Sequence, residues 1–145
     1  MNKRKRNILS YLAEKANKQE RFAHQKICAA IVHRNQIISE GFNRDKTHPI
    51  AAHYLQYQLN KEGAIYLHAE MDAIRKIYRP QNNNIYKDCT LYVSRILYPN
   101  SKRNNYYWAN CIPCDGCMNL IKDVGIKKII FTMNNDDMGE LKISK

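Results

Sequence analysis

The sequence predicts an α/β fold, one sheet with helices packed on both of its faces. Two observations carry this. Apolar residues recur at helical spacing in some segments and in short continuous runs in others. These segments follow one another in the order α-β-β-α-β-α-β, which a single sheet layered between helices accommodates. A length of 145 residues with 44% hydrophobic side chains suits one domain over residues 1–145 with an adequate core.

Each element has its own signal. Ile8, Leu9, Leu12, Ala13 and Ala16 fall on one helical face, so residues 7–18 read as an amphipathic helix behind a basic arm, residues 1–6. Residues 26–32 are almost continuously apolar, 33–36 read as a turn, and 37–42 form a second strand stopped by Gly41, which together make a hairpin. The polar stretch 43–67 has a helical segment in its middle, 51–59. A helix over 67–77 follows, with Met71, Ile74 and Ile77 as its stripe and Pro80 as its stop. Residues 90–93 are a β-branched and aromatic strand, and 95–110 a long polar loop containing Tyr106, Tyr107 and Trp108. Pro113 begins a helix that Gly125 closes; 127–132 is a fourth strand and 140–144 a short fifth.

Composition narrows the function classes. No apolar run approaches the roughly 20 residues that span a bilayer, and the charged opening does not suit a signal peptide, so a cytoplasmic protein without membrane partners is expected. Five cysteines, three of them in Cys111-x-x-Cys114-x-x-Cys117, suggest a metal or thiolate site in a reducing compartment. The formal charge is +11, with +7 in residues 1–50, +4 in 51–110 and none in 111–145. Such a balance points to phosphate-bearing substrates or partners. AT-rich coding, which favours Lys, Asn, Ile and Tyr together, accounts for the same excess.

Two short motifs carry the chemistry. His68-Ala69-Glu70 opens one predicted helix, and Pro113-Cys114-Asp115-Gly116-Cys117 opens another. Cysteines at i and i+3 share a helix face, and the positive end of the helix dipole favours their thiolates. His68, Cys114 and Cys117 would supply three ligands to Zn2+ and leave the fourth position open, as catalytic rather than structural centres do. Glu70, two residues from His68, is placed to move protons beside that metal. The combination H-x-E…P-C-x-x-C is the signature of zinc deaminases of nucleobases.

With residues 90–93 and 125–131 in the matching order, the chain resembles the cytidine and deoxycytidylate deaminase superfamily over roughly residues 7–132. The resemblance implies a three-layer α/β/α sandwich with a central five-stranded mixed sheet, one catalytic zinc per subunit and a homo-oligomer. It implies that Asn43 holds the substrate sugar and that Ala69 presents its backbone to the base. The activity it implies is hydrolytic deamination of cytosine on a free nucleotide such as dCMP. Ile112 stands where many relatives have Ser before the Pro-Cys pair, and the long loop 95–110 is closer to viral and phage members, whose compartment is the host cytoplasm.

Other readings stay open at this point. Single-stranded DNA or RNA, or a tRNA adenosine, would suit the basic front and the Tyr106–Trp108 cluster; such a cluster also serves to pack a loop onto its domain. A closed structural zinc site in a non-catalytic binding module would recruit Cys111, His48 or His53 as fourth ligand. His48 and His53 lie in the connection to the zinc helix, as pocket-lining residues or as ordinary surface histidines. Asn43 has an alternative as a turn residue, and Cys28 and Cys89 read as small core residues.

Overall fold

The computed structural model describes residues 2–19, 26–44, 48–55, 67–78, 84–98 and 106–143. The first helix, α1, spans Asn2–Lys18, so residues 2–6 are not an arm but its first turns. Four cations at the positive end of a helix dipole are unfavourable by themselves. Tertiary partners offset this: Lys5 Nζ donates to Glu140 at 2.7 Å, and Arg6 reaches the Asp136 carbonyl at 2.6 Å while its guanidinium lies 5.1 Å from the Trp108 ring centre. The predicted stripe holds, with Leu9, Leu12, Ala13 and Ala16 fully buried.

Strands β1 (Lys26–His33) and β2 (Gln36–Phe42) form the expected antiparallel hairpin. Its two turn residues, Arg34 and Asn35, both have positive φ, the type I′ geometry that suits the twist of paired strands. Helix α2 (Pro49–Tyr54) starts two residues before the expected position, because the His48 side chain caps it and Pro49 is preset for a first turn; positions 56–59 of the predicted helix lie outside the described residues. Helix α3 spans Ala69–Ile77 and leaves helical conformation at Tyr78; Pro80, its expected stop, lies outside the described residues. A 3-10 turn, Asn84–Asp88, leads into β3 (Cys89–Leu97). Then come β4 (Tyr107–Ala109), α4 (Asp115–Val124), β5 (Lys128–Met133) and, after a turn, β6 (Asp137–Lys142).

The sheet order is β2-β1-β3-β5-β6, five strands as the resemblance implied, and β4 adds a sixth beside β3. Only β3 and β5 run parallel among the described strands, so the sheet is mixed. The predicted polar loop 95–110 is therefore corrected at both ends. Strand β3 continues to Leu97, and β4 returns to pair Arg95 with Ala109, Ile96 with Trp108 and Leu97 with Tyr107. Burial of Ile96 and Trp108 against α1 is the driving force.

Alternation along the strands builds the two outer layers. Ala29, Ile31, Leu91, Val93, Ile129 and Phe131 face α2, α3 and α4; Cys28, Ala30, Val32, Tyr92, Ile96 and Ile130 face α1. This is the three-layer α/β/α sandwich, with a hydrophobic core on each side of the sheet. Cys28 and Cys89 are buried within it as small core residues. Among the described residues no helix is long and apolar enough to cross a membrane.

Candidate metal centre

The three predicted ligands come from two helix entries brought together over β1 and β3. His68 is the residue before α3, in extended conformation, and follows Leu67, whose carbonyl accepts from the Arg44 N–H at 2.9 Å. Helix α3 lies directly on β2. A Cβ on Gly41 would fall on the Ala69 carbonyl and the Ala73 amide and come within 2.9 Å of Ala73 Cα. Ser39 Oγ donates to the Ala73 carbonyl at 2.7 Å, and Lys76 Nζ to the Glu40 carbonyl at 2.8 Å.

Asp72 completes this attachment. Its side chain is fully buried and accepts from the Phe42 N–H at 3.0 Å, from Arg44 Nε at 3.1 Å and from Arg75 Nε at 2.7 Å, with Lys76 Nζ at 3.3 Å. Burial pushes its carboxyl pKa up, but the Phe42 hydrogen bond and the Lys76 and Arg44 charges outweigh it and hold the carboxyl below its ordinary value. A depressed pKa contributes stability that is present above the unfolded value and lost as pH falls through the folded one. Asp72→Asn should therefore lower unfolding free energy at neutral pH by roughly 2–4 kcal/mol, the partners being part-exposed, and the deficit should shrink below about pH 4. Urea unfolding at pH 7 and pH 3.5 checks this; an equal deficit at both would show that charge is not the cause.

The second entry is held from the sheet. Thr132 Oγ1, at the point where β4 takes over from β5 beside β3, donates to the Ala109 carbonyl at 2.8 Å and accepts from the Arg95 N–H at 3.0 Å. The Thr132 carbonyl accepts from the Cys111 N–H at 3.0 Å. From there Pro113 leads to Cys114, and α4 begins at Asp115, two residues later than predicted. Cys114 is itself the cap: its Sγ accepts from the Cys117 N–H at 3.5 Å. Gly125, at φ 97°, closes the helix as expected.

His68 Nδ1 lies 3.6 Å from Cys114 Sγ and 3.3 Å from Cys117 Sγ, and the three donor atoms are mutually within 4.8 Å. A tetrahedral zinc with bonds of about 2.3 Å to sulfur and 2.05 Å to nitrogen separates S and N by about 3.6 Å, so the set fits that ion. Cys111, His48 and His53 do not join this group. The Cys114 thiol is pushed down to about 3, chiefly by the Cys117 thiol and then by His68. Burial disfavours the His68 imidazolium, yet Cys114 and Glu70 raise its pKa on balance. Glu70, in the first turn of α3 and 5% exposed, has its carboxyl pushed up by burial against the opposing pull of His68.

The other predicted residues are spread around this centre. Asn43 Oδ1 accepts from the Ile27 N–H at 3.2 Å, fastening the end of β2 to the start of β1. Ala69 is buried, with its main chain in the first turn of α3 and against Gly41. His48 caps α2, its Nδ1 accepting from the Ile50 N–H at 3.1 Å, and with His53 it borders a separate cavity of about 410 Å³ between α2, α3 and α4. The aromatic cluster packs: Tyr106 donates to Glu14 at 2.9 Å and Trp108 is buried against α1, which leaves Tyr107 exposed. Sequence reasoning missed Gly41, Asp72 and Thr132 as positioning residues; a glycine inside a strand pattern is the one local signal that marks a close backbone approach.

The model of the cytidine and deoxycytidylate deaminase zinc-binding region matches residues 2–133. No curated protein matches the chain. Among solved structures, dCMP deaminase from the cyanophage S-TIM5 in apo form is 19% identical, with a TM-score of 0.58 over 94% of this chain and 88% of that one. The same enzyme in complex with dCMP and dUMP is 16% identical, with a TM-score of 0.51 over 91% and 80%. At these identities the likeness establishes the fold.

Proposed function

Because the chain belongs to the family of the cytidine and deoxycytidylate deaminase zinc-binding region, we propose that it hydrolyses the exocyclic amine of a cytosine base on a free deoxynucleotide, dCMP foremost. The observation that carries this reading is the pairing of three donor atoms at tetrahedral zinc spacing with a buried carboxyl beside them. A zinc ion held by His68, Cys114 and Cys117 would supply Lewis acidity that activates water near neutral pH.

The chain's own residues do the rest. Glu70 takes a proton from the attacking water and delivers it to N3 of the base; it then takes the proton of the hydroxyl newly attached at C4 and passes it to the amine, so that ammonia leaves as the C4 carbonyl forms. Its raised pKa suits a group that must both accept and give a proton. The Ala69 N–H, in the first turn of α3 and without an intrahelical acceptor, would orient a base carbonyl. Asn43, at the end of β2, would take the sugar. A basic chain suits a phosphate-bearing substrate, and the cyanophage enzyme's complex with dCMP and dUMP supplies the first nucleotide to try.

The test is direct. Zinc-loaded protein is incubated with dCMP, CMP, cytidine, dCTP, single-stranded DNA and tRNA, and the deaminated product of each is measured. Conversion of dCMP to dUMP should have the highest kcat/KM, vanish on chelation and return with zinc. Faster conversion of a polynucleotide than of dCMP would overturn the reading.

A further inference from the structure

Arg95 has a guanidinium without a carboxylate partner among the described residues, at the site end of the sheet. Its main chain is fixed, by pairing with Ile27 on one side and Ala109 on the other and by the N–H bond to Thr132 Oγ1. Its side chain follows Leu91 and Val93 on the face of β3 that carries α3 and α4, and its cross-strand neighbour Ile27 packs on that same core. The Ile27 N–H is the group that Asn43 holds. Asn43 and Arg95 thus lie in one row across β2, β1 and β3, with main chains about 10 Å apart at the usual strand spacing.

Among the described residues, one hydrogen bond holds the guanidinium. Nη1 donates to the Asn110 carbonyl at 3.2 Å, at the long end of the hydrogen-bond range. Nε is shielded from solvent and has no hydrogen-bond partner among the described residues. No carboxylate among the described residues pairs with it. Arg44, Arg75 and Lys76, the other cations near α3, all share Asp72. Asn110, which the Arg95 side chain contacts, precedes Cys111, whose N–H the Thr132 carbonyl holds, so the guanidinium lies against the segment that leads to Cys114. A buried donor left open is costly, and one that a structure retains calls for a functional or structural reason.

We propose that Arg95 is the anchor for the substrate's phosphate and sets the preference for a nucleotide over a nucleoside. This rests on the nucleotide reading above. By exchanging the long Asn110 bond and turning its fork outward, the side chain presents two parallel N–H groups to two phosphate oxygens, the bidentate geometry that a guanidinium provides and an ammonium does not. Asn43 at one end of the row and Arg95 at the other bracket a sugar and its phosphate, with the base directed toward Glu70.

The test separates phosphate from base. Binding of dUMP and of 2′-deoxyuridine is measured by calorimetry for the parent, Arg95→Gln and Arg95→Lys, each checked for folding by thermal melting. The parent should bind dUMP at least about 10-fold more tightly than the nucleoside, as a charge-assisted bond implies. Arg95→Gln should bring the two affinities within about 3-fold of each other by weakening dUMP alone, and kcat/KM for dCMP should fall mainly through KM. Arg95→Lys, with the charge but without the fork, should keep part of the preference and serves if the Gln variant does not fold. A parent without the preference, a Gln variant that retains it, or an equal loss of both ligands would overturn the assignment. A parent that binds dUMP through Arg95 yet deaminates nothing would sink the proposed function and leave the anchor standing.

Discussion

Glu70→Gln should bind zinc with the parent's stoichiometry and melt within a few degrees of it, while kcat for dCMP falls by about 10²–10⁴. The substitution keeps the shape of the side chain and removes its proton chemistry. Glu70 lies in the first turn of α3, 5% exposed, beside the His68 and Cys114 donors without belonging to the donor set. Loss of a residue that merely packed would appear as lost stability. Loss of a ligand would appear as lost metal. A variant that is folded, metal-loaded and inactive leaves proton transfer as the missing function. Metal analysis, thermal melting and product formation are measured on the same preparation. A variant as active as the parent removes Glu70 from the mechanism; one that loses zinc reassigns it to the metal's support.

The candidate site was legible in the sequence because its residues sit where local pattern and local structure coincide. His68-Ala69-Glu70 and Pro113-Cys114-x-x-Cys117 each span one helix entry, where free N–H groups and the dipole stabilise anionic ligands, so spacing alone brings the right atoms to one end of a helix. Hydrophobic period likewise marked the strands that build both cores. What stayed hidden depends on contacts far apart along the chain. Residues 2–6 read as an arm because four consecutive cations oppose helix formation locally; their partners, Asp136 and Glu140, are more than 125 residues away. Strand β4 is three residues long and is selected by burial of Trp108 beside Ile96. Thr132 looks like any strand threonine until three strands meet at its hydroxyl. Asp72 is one acid in a helical first turn, and its three basic partners include one from the end of β2.

Gly41→Ala should lower the melting temperature by about 10 °C and weaken zinc binding by at least about 10-fold, although Gly41 touches no ligand. The added Cβ meets backbone rather than side chain: the Ala69 carbonyl, the Ala73 amide and Ala73 Cα at 2.9 Å. Backbone within a hydrogen-bonded turn has no alternative rotamer, so relief requires moving the start of α3 away from β2. Overpacking of this kind costs about 3 kcal/mol or more, and 2–4 °C per kcal/mol gives the expected shift for a chain of this size. The same movement carries His68, the residue before α3, away from Cys114 and Cys117, whose positions are set independently through Cys111 and Thr132. Gly125→Ala is the matched comparison. Nothing lies within 4 Å of a Cβ there, and the cost is the backbone strain of φ 97°, about 1 kcal/mol, at the far end of α4. It should lower stability modestly and leave zinc affinity where it was. Melting curves and competitive zinc titrations of both variants test the difference: equal effects on zinc affinity would mean that general destabilisation, and not displacement of α3, governs the metal centre.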